Sequence, residues 1–244
     1  MFGRVSRLLV SFVMIMAGAV IGVGATSGTA HADECYTWSR TLSEGSSGSD
    51  VTQLQIRVAG WVTSGERLSY DGQFGARTTA AVKKFQAAYG LTADGVAGSQ
   101  TFSKLYALQD ADCTPVHFSY AELNRCNSDW SGGAVSAATA KANALKTMWK
   151  LEAMRHALGD VSINISSGFR SYACNSAVGG SSTSRHLYGD AADLTGSPTL
   201  CRLAQQSRTH GFSEILGPGY PGHNDHTHVA FDPSPYWSAP TCGI

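Results

Sequence analysis

The chain of 244 residues is short of charge and has no surplus of either sign, with 18 basic and 18 acidic residues making up 15% of the whole. That balance excludes an electrostatic grip on nucleic acid or on an acidic surface, so recognition has to come from built sites. A membrane-length apolar run is missing too. The stretch from Leu8 to Val23 is broken by glycines and falls short of the roughly 20 residues a spanning helix needs. No two of the six cysteines have the short spacing of a zinc knuckle, which argues against a thiolate metal site. Neither a Gly-x-Ser-x-Gly elbow nor a Ser-x-x-Lys element occurs, which removes the usual sequence marks of a serine hydrolase.

What is present begins with a leader. Arg4 and Arg7 precede the Leu8–Val23 run, and Ala30-His31-Ala32 follows as a small-x-small cleavage site, so residues 1–32 read as a signal peptide and the mature chain starts near Asp33. Losing the two arginines leaves two more acidic than basic residues. Export puts the cysteines Cys35, Cys113, Cys126, Cys174, Cys201 and Cys242 where thiols oxidise, so they read as three disulfides, whose connectivity spacing alone leaves open. The expected location is outside the cell, with no membrane partner after cleavage, no nucleic acid, and a monomeric state.

Between Leu42 and Leu108 a frame Asp-Gly-x-x-Gly-x-x-Thr occurs twice, from Asp71 to Thr78 and from Asp94 to Thr101. Asp-Gly is turn chemistry, and each threonine stands near the start of a following helix. Val51, Leu54, Gln55 and Val58, then Ala81, Val82, Phe85, Gln86 and Tyr89, keep helical spacing, with Gly90 as a stop. These features predict a three-helix unit over residues 33–113. The order of its motifs around Phe85-Gln86 resembles the common peptidoglycan-binding module of bacterial wall hydrolases, which implies that peptidoglycan is a partner.

After Cys113-Thr114-Pro115 the pattern changes to mixed helix and strand, so residues 114–244 form a second expected domain. Ser136–Leu158 reads as one long amphipathic helix stopped by Gly159. Val161, Ile163 and Ile165 alternate as a strand, Ala191–Leu194, Phe212–Leu216 and His226–Phe231 read as further strands, and Pro198–His210 as a helix. The fold class is therefore α+β, with a small, mostly antiparallel sheet preceded by the three-helix unit.

Five of the eight histidines lie between His186 and His228. Two imidazoles and a carboxylate make a catalytic zinc set with one position open, and the segments 184–193 and 223–228 offer several such sets. His226 and His228 are two apart, so on a strand they face the same way, one as ligand and one as helper. Asp225 has the opposite parity and joins them only if the backbone turns before the strand. His117, His156 and His210 lack partners at useful spacing and read as structural, and Asp190 as a loop carboxylate.

The segments Ser184-x-His186-x-x-Gly189-x-Ala191-x-Asp193 and His226-x-His228 resemble the zinc D-Ala-D-Ala carboxypeptidases and their relatives, the D,D-dipeptidases and the hedgehog fold. The resemblance extends over essentially the mature chain to the two-domain actinomycete type. It implies one Zn²⁺ held by His186, Asp193 and His228, with Asp225 as general base. His226 and Arg170 would stabilise the oxyanion, Arg170 and Ser184 bind substrate, and His223 belong to the active site. It also implies cysteines paired in sequence order, Cys35–Cys113, Cys126–Cys174 and Cys201–Cys242. The activity implied is hydrolysis of the C-terminal D-Ala-D-Ala bond of peptidoglycan stem peptides. The competing readings are an endopeptidase cutting cross-links or L-Ala-D-Glu bonds, and a non-catalytic wall-binding protein containing zinc.

Overall fold

A computed structural model describes residues 35–244; the expected signal peptide, residues 1–32, lies outside the described residues. The first part is organised by the repeated turn. Asp71 Oδ1 accepts the backbone N–H of Gln73 at 2.9 Å, and Asp94 Oδ1 accepts that of Val96 at 2.8 Å. Gly72 and Gly95 take φ of 69° and 81°, left-handed values at which glycine carries no Cβ penalty.

Each turn is held by a buried glutamine from the preceding helix. Gln55, in α1 (Ser49–Arg57), donates through Nε2 to Asp71 Oδ1, Gln73 O and Thr78 Oγ1, and accepts the Gly72 N–H. Gln86, in α2 (Ala76–Ala88), makes the same four contacts with Asp94, Val96, Thr101 and Gly95. The repeated threonines are thus acceptors for a buried amide. The N-caps of α2 and of α3 (Ser99–Ala107) are Gly75 and Gly98, without a side-chain cap. Leu42, Val51, Leu54, Val58, Phe74, Val82, Phe85 and Leu105 fill the core between these helices.

The second part carries α4 (Tyr120–Leu123), α5 (Ala137–Ala157), α6 (Tyr172–Ala177) and α7 (Leu200–Ser207) around five strands. These are β1 (Asn164–Ser167), β2 (Ala191–Thr195), β3 (Glu214–Leu216), β4 (Thr227–Ala230) and β5 (Tyr236–Ser238), in the order β1-β2-β4-β3-β5. All neighbours are antiparallel except β3 and β5. The expected long helix is present. Ser136 caps it by accepting the Thr139 N–H, and Gly159 ends it at φ 90°. The strand expected from Val161 starts later, at Asn164, and α4, α6 and β5 were not anticipated, because three to six residues hold too little periodicity to read.

One expectation for α5 needs correction. From Thr147 to Arg155 every residue is buried, so this half of the helix has no solvent face and is not amphipathic. The cause is its position between two cores. Met148, Leu151 and Met154 pack with the sheet, whereas Ala153 belongs to the core of the first part. Gly60 permits the approach: a Cβ there would lie 2.5 Å from Ala153 Cβ and 2.9 Å from Lys150 Cα. Trp149 Nε1 donates to Cys113 O at 3.2 Å across the same seam, and the described chain packs as one compact unit. The disulfides are Cys35–Cys113, Cys126–Cys174 and Cys201–Cys242, the sequence order the resemblance implies. Among the described residues, no helix is long and apolar enough to cross a membrane.

Candidate metal centre and active-site cleft

The centre is set by strand register. Asp193 on β2 stands directly opposite His228 on β4, a pairing that brings Cβ atoms to about 5 Å. His186 comes from the short 3-10 turn Arg185–Tyr188, which Gly189 ends at φ 75°. A side chain at Gly189 is barred twice, by that left-handed φ and by Ala140 O, 2.4 Å from where its Cβ would stand. The glycine of the signature therefore docks the His186 turn against α5.

His186 Nε2, His228 Nδ1 and Asp193 Oδ1 form a triangle with edges of 2.9, 3.0 and 3.1 Å. All three residues are buried and together could hold a metal ion. A tetrahedral zinc with bonds near 2.1 Å separates its ligand atoms by about 3.4 Å, within a few tenths of an ångström of the triangle's edges. The chemistry fits as well. A proton can lie along one edge at a time, whereas a cation at the centre satisfies all three lone pairs.

The outer nitrogens fix the ligands. His186 Nδ1 donates to Gly168 O, and His228 Nε2 donates to Glu214 Oε1 at 2.9 Å, the arrangement that orients metal-binding imidazoles. Asp193 Oδ2 accepts from Arg170 Nη2 at 2.6 Å, and Arg170 Nε donates to Ser167 Oγ at 2.9 Å. Burial opposes ionisation of Asp193, but His186 and His228 hold its carboxyl far below the usual range. Burial also lowers His186. For His228 it is overcome by Asp193 and Glu214, which push the imidazole up to about 9.

A cleft of about 640 Å³ lies over this triangle, and Arg170, Ser184, His223 and His226 line it together with the three ligand candidates. Ser184 precedes the His186 turn without capping it. His223 Nδ1 donates to Pro221 O at 2.9 Å, its ring is 4.7 Å from that of His226, and partial burial lowers its pKa. His226 Nε2 lies 3.7 Å from Asp193 Oδ1, on the same side as His228, as the two-residue spacing predicts. Asp225 has an 88% exposed side chain that accepts from His226 Nδ1 at 2.8 Å, and that bond lowers its pKa. It is not among the cleft-lining residues; the imidazole of His226 stands between.

Glu214 escaped the sequence reading, although a lone carboxylate in the apolar strand Phe212–Leu216 was a usable signal. Asp190 lies in the connection between the His186 turn and β2, as expected of a loop carboxylate, but is 7% exposed and paired with Arg185. His117, His156 and His210 stand apart from the cleft, bonded to Glu152, Asp160 and Gln206 O respectively.

Residues 116–230 match the family described as Peptidase M15, and residues 47–105 match a putative peptidoglycan binding domain. Over 229 residues the chain is 67% identical to a zinc D-Ala-D-Ala carboxypeptidase of Streptomyces albus G, covering 93% of this chain and 88% of that one. The chain belongs to peptidase family M15. Among solved structures it is similar to a fused zinc-dependent amidase/peptidase/peptidoglycan-binding protein of Clostridium acetobutylicum (TM-score 0.24, 32% identity, 27% of this chain and 28% of that one). It is also similar to the Burkholderia AP3 phage endolysin (TM-score 0.25, 34% identity, 44% and 36%).

Proposed function

We propose that the protein is a secreted, monomeric zinc D-Ala-D-Ala carboxypeptidase that removes the terminal D-alanine from peptidoglycan stem peptides, with residues 33–113 as wall-binding part and 114–244 as catalytic part. The observation that carries this is the triangle of His186, Asp193 and His228 under a cleft lined by Arg170. Three disulfides support the extracellular location. Attachment to insoluble wall raises the local concentration of stem peptides, a reason for both parts to share one chain.

In this reading His186, Asp193 and His228 hold the ion. When bound, it supplies Lewis-acid polarisation of a carbonyl and makes water nucleophilic near neutral pH. Arg170 holds Asp193 Oδ2 with one donor and Ser167 with another. Its remaining donors suit the planar oxygens of the substrate, the carbonyl or the terminal carboxylate that a carboxypeptidase must read. Ser184 and His223 line the cleft that takes the peptide. Asp225 and His226 work as one unit. The carboxylate fixes Nδ1–H of the imidazole, Nε2 takes the proton from the attacking water, and the same nitrogen returns it to the departing amine. The base expected at Asp225 is thereby shared with the residue it orients.

Mass spectrometry of purified muropeptides tests the bond: release of free D-alanine is expected, and cleaved cross-links or L-Ala-D-Glu products would favour the endopeptidase instead. Asp225→Asn should keep zinc by elemental analysis and lose about 10²–10⁴-fold in kcat. His226→Ala should cost as much, and the double variant no more than either alone. Full activity of Asp225→Asn would remove Asp225 from the reaction.

A further inference from the structure

Away from the metal centre, a second cavity of about 110 Å³ lies at the seam between the two parts of the chain. Tyr70, from the stretch matching the peptidoglycan-binding family, lines it together with Asn143, Lys146 and Lys150 of α5, Asp190 and Phe231. Lys150 is only 5% exposed. Its ammonium lies 5.4 Å from the ring centres of both Phe212 and Phe231. Lys146 reaches in beside it, donating to Asn143 Oδ1 at 3.2 Å with its ammonium over the Tyr70 ring at 5.1 Å.

The charges do not balance. Lys146, Lys150 and Arg67 act on this space as cations, and Arg67 spends a donor on a neutral carbonyl, Asp232 O. Asp190, the carboxylate among the described lining residues, attracts Lys150 but has both oxygens engaged by Arg185. An ammonium has three donors and no acceptor, so ring faces leave its donors open to an oxygen acceptor. Burial draws Lys150 down to about 8.

We propose that this cavity is an anion site, in which Lys150 and Lys146 bind a phosphate-sized oxyanion that ties the wall-binding part to the peptidase. The volume admits a tetrahedral oxyanion. Its occupant would touch Tyr70 from one part and α5 from the other, so binding stabilises the seam as a whole.

The zinc-loaded mature protein is heated in increasing sulfate, with chloride adjusted to hold ionic strength constant. A saturable rise in Tm is expected, on the order of 5–10 °C at a hundredfold excess over Kd. Lys150→Met should remove the rise while leaving hydrolysis of a soluble peptide within about twofold. Lys146→Gln, on the more open rim, should weaken sulfate at least about tenfold and provides the test should the Lys150 variant not fold. An equal response in wild type and variants, as sulfate bound at the metal would give, overturns the proposal. So does the lack of any saturable response, which would mean that water alone fills the space.

Discussion

Glu214 separates holding the metal from doing the chemistry. Its carboxylate accepts from His228 Nε2 at 2.9 Å, on the side of the ring away from the ligand triangle. Removing such an outer partner weakens metal binding about 10–100-fold. Glutamine keeps an acceptor at that position and loses only the charge, so Glu214→Gln belongs at the lower end, about tenfold or about 1.4 kcal/mol of zinc affinity. Alanine frees the ring to rotate and belongs near a hundredfold, about 2.7 kcal/mol. Zinc Kd is measured by competition with a chromophoric chelator near neutral pH, and kcat in excess zinc. The expected result is a raised Kd with kcat within a few-fold of wild type, since Glu214 acts through His228. Kd within twofold of wild type in both variants would refute the positioning role. Because Glu214 also borders the cleft, a fall in kcat at saturating zinc with Kd unchanged would assign it to the substrate.

Two further predictions concern the seam. His210 is buried, with Nδ1 donating to Gln206 O at 2.8 Å, and burial lowers its pKa from 6.5 to about 4. The unfolded chain therefore takes up the proton first. The stabilisation is complete above the unfolded value of 6.5 and is lost as pH falls toward 4, up to about 3 kcal/mol. His210→Gln should flatten denaturant midpoints across that interval, and an unaltered acid limb would refute the assignment. Gly60→Ala should destabilise by about 1–3 kcal/mol, because its methyl would overlap Ala153 and the Lys150 backbone. Gly75→Ala, with nothing within 4 Å of its Cβ, is the steric control in the same thermal melts and should lose only the N-cap preference for glycine over alanine.

How much of this could be read beforehand follows from how local each feature is. The turn repeat is legible because Asp71 and Asp94 bond backbone two residues on, and the long helix because Ser136 and Gly159 mark its ends. The signature Ser-x-His-x-x-Gly-x-Ala-x-Asp is legible for a mixed reason. Only part of it is chemistry. Gly189 is demanded by Ala140 O and by its φ, and Ala191 is fully buried at the head of β2, so fold requirements frame His186 and Asp193 and make the spacing specific.

The features that stayed hidden are made by residues far apart in the chain. The Glu214–His228 bond joins two strands. The all-round burial of the second half of α5 depends on Gly60, some ninety residues upstream of Ala153, which periodicity within the helix cannot report. Asp225 illustrates the limit most sharply. Its parity against His226 and His228 correctly says that it points elsewhere, but not whether a turn returns its carboxylate to the cleft. The turn exists, with Gly222 at φ 78°, and it delivers the carboxylate to His226 Nδ1. A one-residue spacing thus became a carboxylate–imidazole pair, and the distance from Asp225 to the cleft is bridged by the neighbouring side chain that alternation had set on the ligand side.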